Sequence, residues 1–297
     1  AEDVLDRVLK RWNAVGGSVI VQEPDTGKII AIADRPTFNP NSYGSYDQQL
    51  FLNGSVQQIF EPGSSFKPIT MAAGLDLEKV RPDSTFNDTG EATSDGRTIK
   101  NFDGRSYGVQ TMKQVLEKSL NTGAVFVEKQ VGDDAFLDYV INMGFGQKTG
   151  VDLPGEVSGD ITNLYSGRKI NYFTASFGQG IAVTPLQLVN AYSTIANGGR
   201  LMRPYIVDRI TSAGGREAVT QPEIIGTPIR ERTAHTLKAM LVGVVDNGFD
   251  KARIKGYDIA GKTGTAQVAD GKGGYLENEF IHDFVGFAPA SNPRFVI

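Results

Sequence analysis

Apolar residues fall in short runs near both ends of the chain and at helical spacing between them. Residues 1–13 predict an amphipathic helix with Val4, Leu5, Val8 and Leu9 on one side. Runs at 18–22 and 29–33 flank Pro24-Asp-Thr-Gly27, whose turn chemistry predicts a β-hairpin. Residues 35–60, rich in Asn, Ser, Tyr, Gln and Pro, read as a long surface loop. Pro62-Gly63 then makes a turn, Ser64 follows as an N-cap, and the apolar run at 66–75 predicts a buried helix. Pro68 falls in the first turn of that helix, where its missing N–H costs little.

The stretch 82–108 is polar, Gly/Asp-rich and without clear periodicity. Helix returns at 111–119, with Met112, Val115 and Leu116 at core spacing, breaks at Asn121-Thr-Gly123, and resumes at 124–131 and 133–143. Thr184-Pro-Leu-Gln187 is a capping box with proline at the first helical position, and Gly198-Gly199 ends that helix. A further helix at 232–245 closes at Asn247-Gly248. The tail returns to strand: 257–260 leads into 262–268, then 283–288, then a third run at 294–297. The pattern predicts an α/β (α+β) fold with a mainly antiparallel sheet built from both termini, flanked by helices. Its strands fall at about 16–34 and 256–297, and an all-helical subdomain lies within about 60–250.

At 297 residues the chain can bury one large core or two fused subdomains. Hydrophobic content of 40% and charged content of 22% are those of an ordinary globular protein. A net charge of −4 without a basic patch argues against nucleic acid as a partner. With no cysteine, disulfides and thiolate metal sites are excluded, and nothing in the sequence calls for a metal or cofactor. A Ser-His-Asp triad would need His235 or His282, and His235 falls in an amphipathic pattern that gives it a surface or packing role. No segment reaches the 18 apolar residues of a membrane span, and the charged first residues are no signal peptide.

The chemistry-bearing candidates begin with Ser64 and Lys67, one helical turn apart. A lysine so placed can take the serine proton if burial lowers its pKa from about 10.4. A second copy, Ser166-Gly-Arg-Lys169, has glycine directly after its serine and no apolar run behind it, so Ser64 is preferred. Ser119-Leu120-Asn121 offers a hydroxyl and an amide where a helix breaks. Lys262-Thr263-Gly264-Thr265 lies in an apolar strand, where glycine marks the close approach of another backbone and Lys and Thr can hold a carboxylate. Its copy at Lys148-Thr149-Gly150 reads as a turn after a helix.

Ser-x-x-Lys, Ser-x-Asn and Lys-Thr-Gly in this order resemble the penicillin-binding proteins, a family of acyl-serine enzymes that includes serine β-lactamases. Longer stretches resemble class B, the D,D-transpeptidases. They are Pro36-Thr-Phe-Asn-Pro-Asn41, Glu61-Pro-Gly-Ser-Ser-Phe-Lys67, Phe177-Gly-Gln-Gly180, Thr184-Pro-Leu-Gln187, Asn197-Gly-Gly199, Lys262-Thr-Gly-Thr-Ala-Gln267 and Phe284-Val-Gly-Phe-Ala-Pro289. The resemblance implies one transpeptidase domain over 1–297, cut at both ends, without the family's membrane anchor, pedestal domain or closing helix.

It also implies roles. Ser64 attacks the penultimate D-Ala carbonyl of a peptidoglycan stem peptide, Lys67 is the base, and Ser119 passes the proton to the leaving amine. Lys262 supports Ser119, Asn121 holds the substrate amide and the Lys67 side chain, and Thr263 and Thr265 flanking Gly264 take the terminal carboxylate. The backbone N–H groups of Ser64 and Thr265 make the oxyanion hole. β-Lactams acylate the same serine. The implied partners are a SEDS-type glycan polymerase and division or elongation proteins, at the outer face of the bacterial cytoplasmic membrane. Rival readings are a serine β-lactamase, with Glu117 or Glu156 activating water, and a β-lactam sensor or inactive scaffold.

Overall fold

The computed structural model describes residues 1–269, 271 and 274–297. Five antiparallel strands from both ends of the chain form its main sheet. β1 (Gly17–Gln22) and β2 (Ile29–Arg35) make the predicted hairpin, and β3 (Ala260–Ala269), β4 (Tyr275–Ala288) and β5 (Phe295–Val296) come from the tail. The order is β3-β4-β5-β1-β2. Short β5 joins the two termini: Val296, fully buried, lies opposite both Phe287 and Gln22. The fourth strand, expected only at 283–288, already begins at Tyr275. Residues 275–282 are exposed on both faces, so apolar periodicity could not reveal them; the ladder to β3 holds them.

Among the described residues, the longer helices packed on and around this sheet are α1 (Glu2–Trp12), α2 (Lys67–Asp76), α3 (Met112–Glu117), α4 (Asn121–Val131), α5 (Asp133–Asn142), α6 (Lys169–Ala175), α7 (Pro185–Ala196) and α8 (Glu231–Gly243). Every residue of α2 is buried, as expected of a helix apolar on all sides. It can sit close to α4 because a Cβ on Gly74 would lie only 2.6 Å from Val127. Phe66 and Phe145, both fully buried, pack with ring centroids 5.0 Å apart at the start of α2. α7 lies against β1, β4 and β5. Its capping box is formed: Gln187 N donates to Thr184 Oγ1 at 3.1 Å, and Thr184 N donates to Gln187 Oε1 at 2.8 Å. Such a cap is worth about 1 kcal/mol.

Several local expectations need correction. On α1 only Leu5 is buried; Val4 and Val8 stay half exposed because Arg35 pins the helix by its acidic side, through Glu2 and Asp6. Residues 35–60 are not an open loop. Asn39, Asp47 and Asn53 each accept a backbone N–H two residues on and start short helical turns at Pro40–Ser45, Gln48–Phe51 and Gly54–Gln57.

The region 82–108 holds strands Thr85–Asp88, paired with Gly108–Thr111, and Glu91–Ser94, paired with Arg97–Lys100. The latter hairpin turns on Asp95-Gly96, with φ of 50° and 72°, the left-handed pair that a two-residue turn requires. Further two-stranded ribbons join Leu201–Met202 to Ile224–Gly226 and Arg209–Thr211 to Glu217–Val219, so helices do not occupy all of 60–250.

Candidate active site

The turn before α2 brings three backbones together. Gly63 has φ 55° and donates its N–H to Gly178 O at 3.0 Å, while a Cβ on it would lie 2.5 Å from Thr265 O. Ser64 is not the N-cap that its position suggested. It sits in a 3₁₀ turn, Gly63–Phe66, and α2 starts at Lys67. Ser65 closes that turn by donating its hydroxyl to Pro62 O at 2.8 Å, leaving the Ser64 hydroxyl for Lys67 Nζ, 2.9 Å away. Lys67 is 1% exposed. Burial holds its pKa well below the usual lysine value, and the nearby Lys262 charge acts in the same direction. A buried amine in contact with a hydroxyl can act as a general base near neutral pH.

The break between helices lies at Ser119, two residues earlier than expected, and Asn121 already opens α4. Ser119 has φ 57°, a left-handed conformation costing a non-glycine residue about 1–3 kcal/mol, and buried Leu120 anchors the bend. The bend aims both Ser119 oxygens at Lys67 Nζ: the carbonyl at 2.5 Å and Oγ at 3.1 Å. From β3, the Lys262 ammonium donates to the same Oγ at 3.0 Å and to Thr263 O at 3.2 Å. Ser119 Oγ thus bridges two lysines. Burial brings Lys262 down to about 8, against the attraction of Asp283.

Gly264 accounts for the closeness of β3 to the turn that carries Ser64: a Cβ there would lie 2.4 Å from Pro62 O. Thr265 Oγ1 lies 3.1 Å from His282 Nδ1 and donates to Gly264 O at 2.8 Å. The open cleft, of about 490 Å³, is lined by Ser64, Ser119, Asn121, Thr263, Gly264 and Thr265. Its far rim comes from the loop at 101–107, where Tyr107 donates to Asp103 and Phe102 is 88% exposed. Asn121 departs from its implied contact with Lys67: its amide donates to Lys100 O at 2.9 Å, while Lys67 is held by Ser64 and Ser119. Asp283, the place of His282 beside Thr265 and the rim escaped the sequence, because each depends on strand register or on a loop folding back.

The second motif copies lie elsewhere. A helix does open at Lys169, contrary to expectation, but this lysine pairs with Asp133 and Glu128, while Ser166 donates to Asn163 O. Lys148-Thr149-Gly150 is a loop segment just after the turn at 143–146, gathered around Glu156, which accepts from Thr149 N at 2.8 Å and Gly150 N at 3.1 Å. The segment borders a separate cavity of about 520 Å³. Glu117 accepts from Asn247 Nδ2 at 2.9 Å, and His235 is an exposed neighbour of Glu231.

A serine joined to a buried lysine, beside a Lys-Thr-Gly strand on an antiparallel sheet, is the arrangement of the penicillin-interacting acyl-serine proteins. The chain belongs to the family of penicillin-binding protein transpeptidase domains, whose model matches residues 17–297. The similarity to class B read from the motifs holds in its relatives. The chain is 37% identical over 302 residues to the stage V sporulation protein D of Bacillus subtilis, covering 100% of this chain and 46% of that protein. It is 34% identical over 284 residues to the peptidoglycan D,D-transpeptidase FtsI of Escherichia coli K12, covering 96% of this chain and 46% of that one. Penicillin-binding protein 3 of Mycobacterium tuberculosis, solved with aztreonam, superposes with a TM-score of 0.90 at 31% identity, covering 99% of this chain and 68% of the other. The chain spans about half the length of the curated relatives it matches. Among the described residues no helix is long and apolar enough to cross a membrane.

Proposed function

We propose that this chain carries the D,D-transpeptidase centre of a peptidoglycan cross-linking enzyme that β-lactams inactivate. The observation that carries it is the hydroxyl–amine relay: Lys67 Nζ lies 2.9 Å from Ser64 Oγ and 3.1 Å from Ser119 Oγ, with the Lys262 ammonium on the other side of Ser119. Ser64 Oγ attacks the penultimate D-Ala carbonyl carbon of a stem peptide as its proton passes to the Lys67 amine. The tetrahedral oxyanion is received by the backbone N–H groups of Ser64 and Thr265. As it collapses, the C–N bond breaks, and the departing D-Ala amine takes a proton from Lys67 by way of Ser119. An amine of a second stem peptide then attacks the ester, forms the cross-link and returns the proton to Ser64. Thr263 and Thr265 take the terminal carboxylate, and Asn121 takes the substrate amide.

A transferase must keep water from the ester. Neither carboxylate that the sequence offered as a base for water lines the cleft: Glu156 is held at Thr149 and Gly150, and Glu117 by Asn247. The acyl-enzyme is therefore long-lived, which favours a transpeptidase over a β-lactamase. By the same family resemblance the whole protein works at the outer face of the cytoplasmic membrane, beside a SEDS-type glycan polymerase. The test is incubation with a D-Ala-D-Ala pentapeptide and an acceptor amine. Equimolar D-Ala release and amide formation support the proposal; release of D-Ala without cross-linked product refutes it.

A further inference from the structure

Building on the acyl-transfer function proposed above, we propose that Asp283 is a positioning residue: from β4 it supplies the counter-charge that keeps Lys262 an ammonium facing Ser119. The register places Gly264 opposite Asp283 and Lys262 opposite Val285. Cross-strand partners share a face of the sheet, so Lys262 and Asp283 are diagonal neighbours on the face toward the nucleophile, within reach of a long side chain. Gly264 leaves the space between them open. The Asp283 carboxyl fills it, with Oδ2 2.0 Å from where a Cβ on Gly264 would sit. Both carboxyl oxygens are buried; the Ser65 hydroxyl lies near them but donates to Pro62 O, and neither oxygen has a well-formed hydrogen bond among the described residues.

Lys262 is 2% exposed, and among the described residues its hydrogen bonds go to neutral oxygens of Ser119 and Thr263. A buried ammonium needs an opposite charge, and Asp283 is the acid that acts on it. The other groups facing Asp283 are the Ser65 hydroxyl beside Ser64 and Tyr192 of α7, whose own hydroxyl donates to Ser65 O at 2.7 Å. Burial pushes the Asp283 carboxyl up to about 7, opposed by Ser65 and the Lys262 charge.

Two lysines touch one Ser119 hydroxyl, and catalysis needs the proton on Lys262 and a free amine on Lys67. Asp283 breaks that near-symmetry because its charge acts on Lys262. Protonating Asp283, or removing its charge, lowers the Lys262 pKa and, with it, the repulsion that keeps Lys67 neutral.

The test compares the chain with its isosteric Asp283→Asn variant by two readouts. One is the titration of Lys262, followed by NMR of ε-¹³C-lysine and assigned with Lys262→Arg. The other is the pH profile of acylation by a fluorescent penicillin. The Lys262 midpoint should fall from about 8 by about one unit or more in Asp283→Asn, and the alkaline limb of acylation should move down with it. Asp283→Glu should keep the limb near its original position. An unmoved Lys262 midpoint, or a rate lowered equally at every pH with the limb in place, overturns the inference. If Asp283→Asn does not fold, Asp283→Ser serves the same comparison. Absence of acylation in the unaltered chain would refute the acyl-transfer function instead, and the Lys262 titration would still decide whether Asp283 sets its charge.

Discussion

Gly264→Ala tests how closely the Lys-Thr-Gly strand must approach the turn that carries Ser64. A Cβ at this position would lie 2.0 Å from Asp283 Oδ2 and 2.4 Å from Pro62 O, whereas ordinary contact begins at 3.4 Å. The Asp283 carboxyl can swing aside, but Pro62 O is backbone. Strand and turn must therefore part by about 1 Å, which separates the Thr265 and Ser64 backbones and pulls Lys262 away from Ser119. Misplacement on that scale costs about 10²-fold in rate, and overpacking of this kind costs about 1–3 kcal/mol in stability. Stopped-flow acylation by a fluorescent penicillin measures the first and thermal unfolding the second. Gly150→Ala in the second Lys-Thr-Gly copy is the control, since its Cβ would meet only the flexible Arg203 guanidinium, at 2.8 Å, beside the separate cavity. It should lose some stability at its φ of 80° but acylate normally. Acylation of Gly264→Ala within about threefold of the unaltered chain, far from the expected 10²-fold loss, would refute the steric reasoning.

Lys67→Ala should lower the acylation rate about 10²–10⁴-fold in the same stopped-flow assay, as removal of a positioned base does. Lys262→Ala should acylate slowly and Lys148→Ala normally; the reverse order would mean that the wrong strand had been assigned to the site. Acylation should rise with pH as Lys67, whose pKa is depressed, loses its proton, and fall again above about 8 as Lys262 loses its own. A rate still climbing at pH 10 would exclude an essential Lys262 ammonium. The penicilloyl ester should outlast many turnover times by intact mass, and Glu156→Gln should leave its lifetime unchanged. Phe145→Ala should destabilise the chain by about 3–5 kcal/mol in chemical denaturation, because it empties the space against Phe66 beneath α2.

What the sequence made legible was local. The apolar helix behind Ser64, the Thr184 capping box and the Pro24–Gly27 hairpin are set by near neighbours, and they form as read. Asp95-Gly96 was an equally good hairpin signal, hidden by the polar residues around it. The left-handed bend at Ser119 escaped, though the residue itself did not, because a serine in that region carries no composition mark as glycine would. The pairing of Asp283 with Gly264 follows only from the β3–β4 register, and half of β4 has no apolar face from which to read it. The motifs therefore named the candidate residues, while the interlock that sets their spacing became visible only in three dimensions.

The account stands on Ser64 as the nucleophile that Lys67 activates. Its most direct test is to incubate the chain with penicillin, weigh the intact protein and map the adduct by peptide mass spectrometry. One penicilloyl group should be found, on the peptide carrying Ser64, and Ser64→Ala should take none. Labelling that persists in Ser64→Ala, or an adduct on Ser166, would contradict it.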